Sequence, residues 1–223
     1  MNLVKVMFPA PWWTPLTYSC ERELPEWLRV SAPLGKDRRI ALTVGGEAED
    51  IAQERLKELC AVIDEEPALP EELLRLIKWF GETWLIGLGL SMKTVLPRKF
   101  FSEEQLPPMP QSERSEKKFT SGYFYSTDTK KRIERITKTD ENDSSALVLF
   151  PETQSASSYW RSLPAALRGE GTLWPSTPAA QWKLWKRARL GEVRFIVGSP
   201  AAAFAPLAGI SAIIMDEENQ GAW

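Results

Sequence analysis

The chain has no histidine among its 223 residues and only two cysteines, Cys20 and Cys60. Without an imidazole, Ser-His, Cys-His and His-ligated metal chemistry built from this chain alone are excluded, which leaves carboxylates and lysines as its reactive groups. The cysteines have neither zinc-ligand spacing nor the density of a disulfide framework. They fit a reduced, cytoplasmic protein without zinc. No apolar run reaches membrane-spanning length, so no membrane partner is expected. The start, MNLVKVMFPAPWW, has one lysine and an apolar run broken by prolines; it reads as a first strand rather than a secretory leader. A net charge of −2 provides no global field for nucleic acid, so any such contact must come from local patches.

A phosphate-cradling loop is also missing. Such a loop needs glycines whose backbone N–H groups turn inward, a lysine for the β and γ oxygens, and a Ser or Thr for Mg²⁺. The interval Ser121 to Ile136 reads SGYFYSTDTKKRIERI, with Gly122 followed by three bulky aromatics. Gly122 and Lys130 are the nucleotide-binding candidates it offers. Lys130 or Lys131 supplies charge but not the loop geometry.

What is present is a globular composition, 43% hydrophobic and 26% charged, long enough for two small domains. Leu3 to Phe8, Trp27 to Ser31 and Arg39 to Val44 cluster β-formers between Pro, Gly and charged residues, and predict a small β-rich unit. In PALPEELLRLIKWFGETW the period changes: Leu73, Ile77, Phe80 and Trp84 recur at helical spacing behind Pro70, with Glu71 and Glu72 in the first turn. The stripe reads as core. Residues 100–120, FFSEEQLPPMPQSERSEKKFT, have linker composition. From Arg114 to Lys138 there are eight basic and three acidic residues, a zone weakly attractive to DNA or simply a solvated loop.

Further on, Leu147 to Phe150, Phe195 to Val197 and Ala212 to Met215 are short apolar runs of the kind that form buried parallel strands, and Tyr159 to Leu167 starts a helix. Trp182 and Trp185 lie on an amphipathic helix with Lys183, Lys186, Arg187 and Arg189. Their spacing favours one buried face over a stacking platform for bases. The last run delivers Asp216, Glu217 and Glu218 to the carboxyl edge of the sheet. Carboxylates there hold Mg²⁺ in nucleotide hydrolases, although a solvated acidic loop is the commoner outcome.

Three ordered blocks resemble the primosomal replication-restart helicase family, PriA (primosomal protein N′). They are PLTY, APLGK and LKELCAVIDEEPALPEELLRLIKWF in the first third, SALVLFPETQ at Ser145 to Gln154, and GEVRFIVGSPAAAFAPLAGISAIIMDEENQGAW to the last residue. The resemblance implies a 3′-end DNA-binding domain over residues 1–99, a linker at 100–120 in place of a winged-helix domain, and a partial, degenerate RecA-like lobe over 121–223. In fold class this is α+β followed by α/β. It further implies a DNA-binding pocket at Thr17, Tyr18, Gly35, Lys36 and Lys57. Thr17 stands where the family usually has an aspartate, and accepts a hydrogen bond from a 3′ hydroxyl more weakly. The family arginine in Gly-Thr-Arg-Ser-Ala is replaced within Gly198 to Ala202. Asp216 and Glu217 remain as a vestigial acidic box, with Asn219 in the histidine position.

ATP and Mg²⁺ are the family's cofactors, and with the glycine-rich loop gone neither is expected here. The function implied is binding of fork or 3′-end DNA with the motor lost. Two alternatives stay open. One is a fragment of an active ATP-dependent 3′–5′ helicase. The other is a primosome scaffold that docks replication or single-strand-binding proteins through the apolar edge of a three-stranded sheet.

Overall fold

The computed structural model describes residues 2–46, 56–109, 120–126, 128, 131, 145–207 and 209–216. The chain divides into two compact units, Met1–Leu106 and Pro107–Trp223.

In the first unit, strands β1 (Asn2–Met7), β2 (Leu16–Cys20), β3 (Arg29–Leu34), β4 (Asp37–Val44) and β5 (Ala61–Val62) form an antiparallel sheet in the order β2-β1-β4-β3-β5. The sheet curls until its two edges share one segment. The Ser19 N–H donates to Lys57 O at 2.9 Å and the Leu59 N–H to Ser19 O at 3.0 Å, laying residues 57–59 along β2. Immediately afterwards the Cys60 N–H donates to Ser31 O and the Ile63 N–H to Arg29 O, so the same segment runs along β3. One continuous stretch thereby closes a small barrel and leaves neither β2 nor β3 as a bare edge.

The period-2 alternation of the strands fills the interior with Val4, Val6, Tyr18, Cys20, Val30, Ala32 and Ala41. Phe8 joins them just past the end of β1. The sequence reading finds β1 and β4 and the first part of β3. Leu16 to Cys20, outside those β-forming runs, make β2.

Helix α1 (Glu71–Thr83) starts as predicted. Pro70 takes the N-cap position, Glu71 and Glu72 lie in the first turn, and Arg75 pairs with Glu71 one turn away. Leu73 and Ile77 are buried, but Trp84, the last member of the expected stripe, lies past the helix end and is exposed. There the chain turns through Leu85, at φ 51°, and Gly87, at φ 69°, into a second helix, α2 (Gly87–Val95).

The first unit does not end at residue 99. Phe100 is fully buried, and Phe100, Ser102 and Glu104 are held by Arg29 through their carbonyls. Residues 100–106 therefore belong to this unit rather than to a linker. Residues 110–119 lie outside the described residues.

The second unit is a parallel sheet in the order β7-β8-β6-β9, built from β6 (Ser145–Leu149), β7 (Gly171–Leu173), β8 (Phe195–Gly198) and β9 (Ile210–Met215). Helices α3 (Thr153–Ser162) and α4 (Ala165–Glu170) precede β7, and α5 (Pro178–Arg189) precedes β8. One face packs Ala156 and Tyr159 of α3, with Leu163 just past its end, against Val148 and Val197; the other packs Leu184 and Ala188 of α5 against Leu147 and Ile196. The sheet has four strands instead of three. The short GTL of β7 carries no apolar run, and Gly171 is there because a Cβ would enter the Phe195 ring. Pro164 separates α3 from α4, so the helix expected from Tyr159 to Leu167 is two. Trp182 and Trp185 are both buried, with ring centroids 5.3 Å apart and nearly parallel, and serve as core. No helix of the described residues is long and apolar enough to cross a membrane.

Candidate nucleic-acid interface

Two hydrogen bonds relate the residues singled out in the first third of the sequence, one from Tyr18 to Pro33 and one from Ser19 to Lys57. Thr17 is half-buried at the start of β2, next to Tyr18. Tyr18 is 3% exposed, its ring among the interior side chains and its hydroxyl donating to Pro33 O at 2.8 Å. That bond ties β2 to the end of β3, just before the turn into β4 where Gly35 and Lys36 are exposed. Gly35 has φ 64°, the left-handed conformation a tight turn asks of glycine, and a Cβ built there meets nothing within 4 Å. Lys57 is exposed, and its carbonyl is held by the Ser19 N–H, one residue beyond Tyr18. Through Tyr18 and Ser19, β2 is thus tied both to the end of β3 that precedes Gly35 and to Lys57.

Burial raises the Tyr18 phenol above its usual value near 10, and the Cys60 thiol beside it raises it further. Burial also raises the Cys20 thiol, which donates toward Arg22 O at 3.0 Å. The Tyr18 shift has a direction that can be tested. The folded state holds the phenolic proton more tightly than the unfolded chain, so the stability contributed by the Tyr18 to Pro33 bond is present below pH ~10 and is lost as pH rises through the folded value. Tyr18→Phe is expected to cost about 0.5–1.5 kcal/mol at pH 8. That difference should narrow above pH ~10, as read from paired urea melts at the two pH values.

Sequence reasoning missed two features of this region. Lys5 is the cross-strand partner of Thr17, on the outer face of β1, and so sets a cation beside it. A cleft of about 320 Å³ also lies next to the mouth, lined in part by Phe8, Leu34, Arg38, Arg39 and Phe101. The consecutive arginines after the Gly-Lys turn were the available signal. Their partner across the cleft, Phe101, comes from a stretch that reads as linker.

The second unit offers less. The Asp216 N–H donates to Leu149 O at 2.9 Å, which puts Asp216 at the carboxyl edge of the sheet, as expected. Glu217 and Lys130 lie outside the described residues. Residues 120–126 have no regular structure, and Gly122 has open space where a Cβ would go.

No curated protein matches the chain. Residues 5–97, the segment that forms the barrel and the two helices after it, match the family model of the PriA 3′ DNA-binding domain (3′BD), so that this part of the chain is similar to that domain.

Proposed function

We propose that the first unit binds the 3′ end of a DNA strand at the barrel mouth, in the setting of fork or replication-restart DNA, and that the chain has no motor activity of its own. The observation that carries this reading is the similarity of residues 5–97 to the PriA 3′ DNA-binding domain, and it is supported by the bonds that tie β2 to Pro33, two residues before Gly35, and to Lys57. Gly35 lets the backbone approach the terminal sugar, Lys57 and Lys36 meet its phosphate, and Thr17 accepts from the 3′ hydroxyl. Tyr18 acts indirectly, by holding the Gly35 turn in place. Asp216 with Glu217, and Gly122 with Lys130, are remnants of a RecA-like nucleotide site that carries no chemistry here.

Fluorescence anisotropy with oligonucleotides ending in a 3′ hydroxyl or a 3′ phosphate tests the reading. The free end should bind roughly tenfold tighter, about 1.4 kcal/mol. Equal affinity for both ends, lost together on adding salt, would show non-specific phosphate binding instead. A point variant sharpens the test. Asn tolerates the left-handed conformation, so Gly35→Asn should leave the melting temperature nearly unchanged while removing most of the end preference. Preserved preference in that variant would mean that the backbone at Gly35 does not meet the sugar.

A second reading, a scaffold for primosome or single-strand-binding proteins, is favoured by β9. Among the described residues it pairs only with β6, and it exposes Ile213 and Met215. A pull-down that survives nuclease treatment and is lost in Ile213→Lys supports it; capture abolished by nuclease removes it.

A further inference from the structure

The cleft beside the mouth has a composition that the end-binding site alone does not explain. It lies between the β3–β4 hairpin and residues 101–103, and it encloses about 320 Å³, near the lower end of the range for small-ligand clefts. Phe101 and Leu34, both half-buried, and Pro9 supply apolar wall; Arg38 and Arg39 are exposed at its rim, and Glu103 is the one acidic residue lining it. Arg39 is only loosely paired, 3.8 Å from Asp37 in the open, and Arg38 has no ion-pair partner among the described residues. Arginines lining a half-open apolar pocket suit a group with a flat apolar face and an attached anion, which describes a nucleotide.

The cleft also adjoins Tyr18 and Gly35 through two of its lining residues. Phe8 lines it, and the Phe8 ring lies edge-on to Tyr18 at 6.4 Å between centroids. Leu34 lines it as well, between Pro33, which accepts from Tyr18, and Gly35. A strand whose terminal sugar sits at Gly35 therefore has its preceding nucleotide within reach of the cleft.

We infer that this cleft is a second subsite, which takes the nucleotide on the 5′ side of the terminal one, its base against Phe101 and Leu34 and its phosphate on Arg38 and Arg39. The inference rests on the end-binding reading of the mouth. It makes the domain a reader of two nucleotides, with the terminal hydroxyl recognised at one position and a stacked base at the next. Base discrimination at the second position is weak, because stacking accepts any π-face.

The test is an abasic walk with the full-length protein. Oligonucleotides carry a single abasic residue at the penultimate, third or fifth position from the 3′ end, each with a free or a phosphorylated terminus. The penultimate abasic residue should weaken binding about tenfold, with changes under about twofold at the other positions. Phe101→Ala should remove that position dependence while the hydroxyl-over-phosphate preference persists. Because Phe101 is half-buried, the exposed pair Arg38→Ser with Arg39→Ser provides an independent variant. It should lower the slope of log affinity against log salt by about one to two, again with the end preference kept. An equal penalty at every abasic position, with end preference intact, overturns the cleft and leaves the mouth. Loss of end preference in the unaltered protein overturns the mouth, and the cleft with it.

Discussion

Replacing Arg29 by methionine is expected to lower the stability of the first unit by about 3–5 kcal/mol, the range for removing one partner of a buried ion pair. Arg29 is fully buried on β3. Its Nε and one Nη bond the two carboxylate oxygens of Asp64 at 2.8 and 2.7 Å, and its remaining donors reach the carbonyls of Phe100, Ser102 and Glu104 at 2.9–3.1 Å. The guanidinium also lies 5.5 Å from the Phe100 ring centroid. Methionine matches much of the volume but strands a nearly buried carboxylate and three carbonyls. For a unit of this size the loss corresponds to a fall in melting temperature of more than about 10 °C by calorimetry.

The same substitution should release residues 98–106, visible as new tryptic cleavage at Arg98 and Lys99. Arg29→Lys should fare little better, since an ammonium cannot span a carboxylate and three carbonyls at once. A shift of less than about 1 kcal/mol in Arg29→Met would show that the buried network is not what holds this segment to the barrel. Because Phe101 belongs to the held segment, the network also positions one wall of the proposed nucleotide cleft.

Gly89→Ala is the second large effect. A Cβ at Gly89 would stand 2.6 Å from the Phe8 carbonyl oxygen, closer still to that of Ala10, and 3.1 Å from that of Trp12. These are backbone atoms that cannot swing aside, so α2 and the loop after β1 must separate. The expected cost is toward the upper part of the 1–3 kcal/mol typical of overpacking, net of the ~1 kcal/mol by which alanine favours a helix. The same substitution at Gly169 in α4, where a Cβ meets nothing within 4 Å, should instead stabilise by about 0.5–1 kcal/mol. Opposite signs for the two variants in one calorimetric series check the argument. Since the strained loop runs on into Leu16 and Thr17, Gly89→Ala should also weaken DNA binding without touching a contact residue.

These two positions show where the sequence could and could not be read. Alternation in β1 and β4, and the 3.6-residue period behind Pro70, arise from burying one face of a regular element, and they survive in the amino-acid order. Helix α2 does not announce itself, because GLGLSMKTV contains two glycines that read as breakers. The first reverses the chain at positive φ and the second admits the carbonyls of residues 8–12, and neither need is local. Arg29 reads as one more surface charge, because the Phe100 carbonyl that accepts from it lies 71 positions away.

At the site, Gly35 and Lys36 were singled out by the resemblance to the PriA family, not by a pattern of their own. The inward direction of Tyr18 depends on a register that only the barrel sets. The closure by residues 57–60 uses backbone groups with no side-chain pattern. In the second unit, β6, β8 and β9 were visible as β-branched runs, whereas β7 takes its place from its neighbours.

The central claim, that the barrel mouth receives a 3′ terminus, is tested most directly by where such a terminus attaches. A 3′-terminal photoreactive thymidine, irradiated with the full-length protein and mapped by peptide mass spectrometry, should crosslink to the peptides containing Thr17, Gly35–Lys36 and Lys57. The same label placed internally should spread over other surfaces. Attachment of the terminal label mainly to residues 120–126 or to α5 of the second unit, with the barrel mouth unlabelled, would contradict the account.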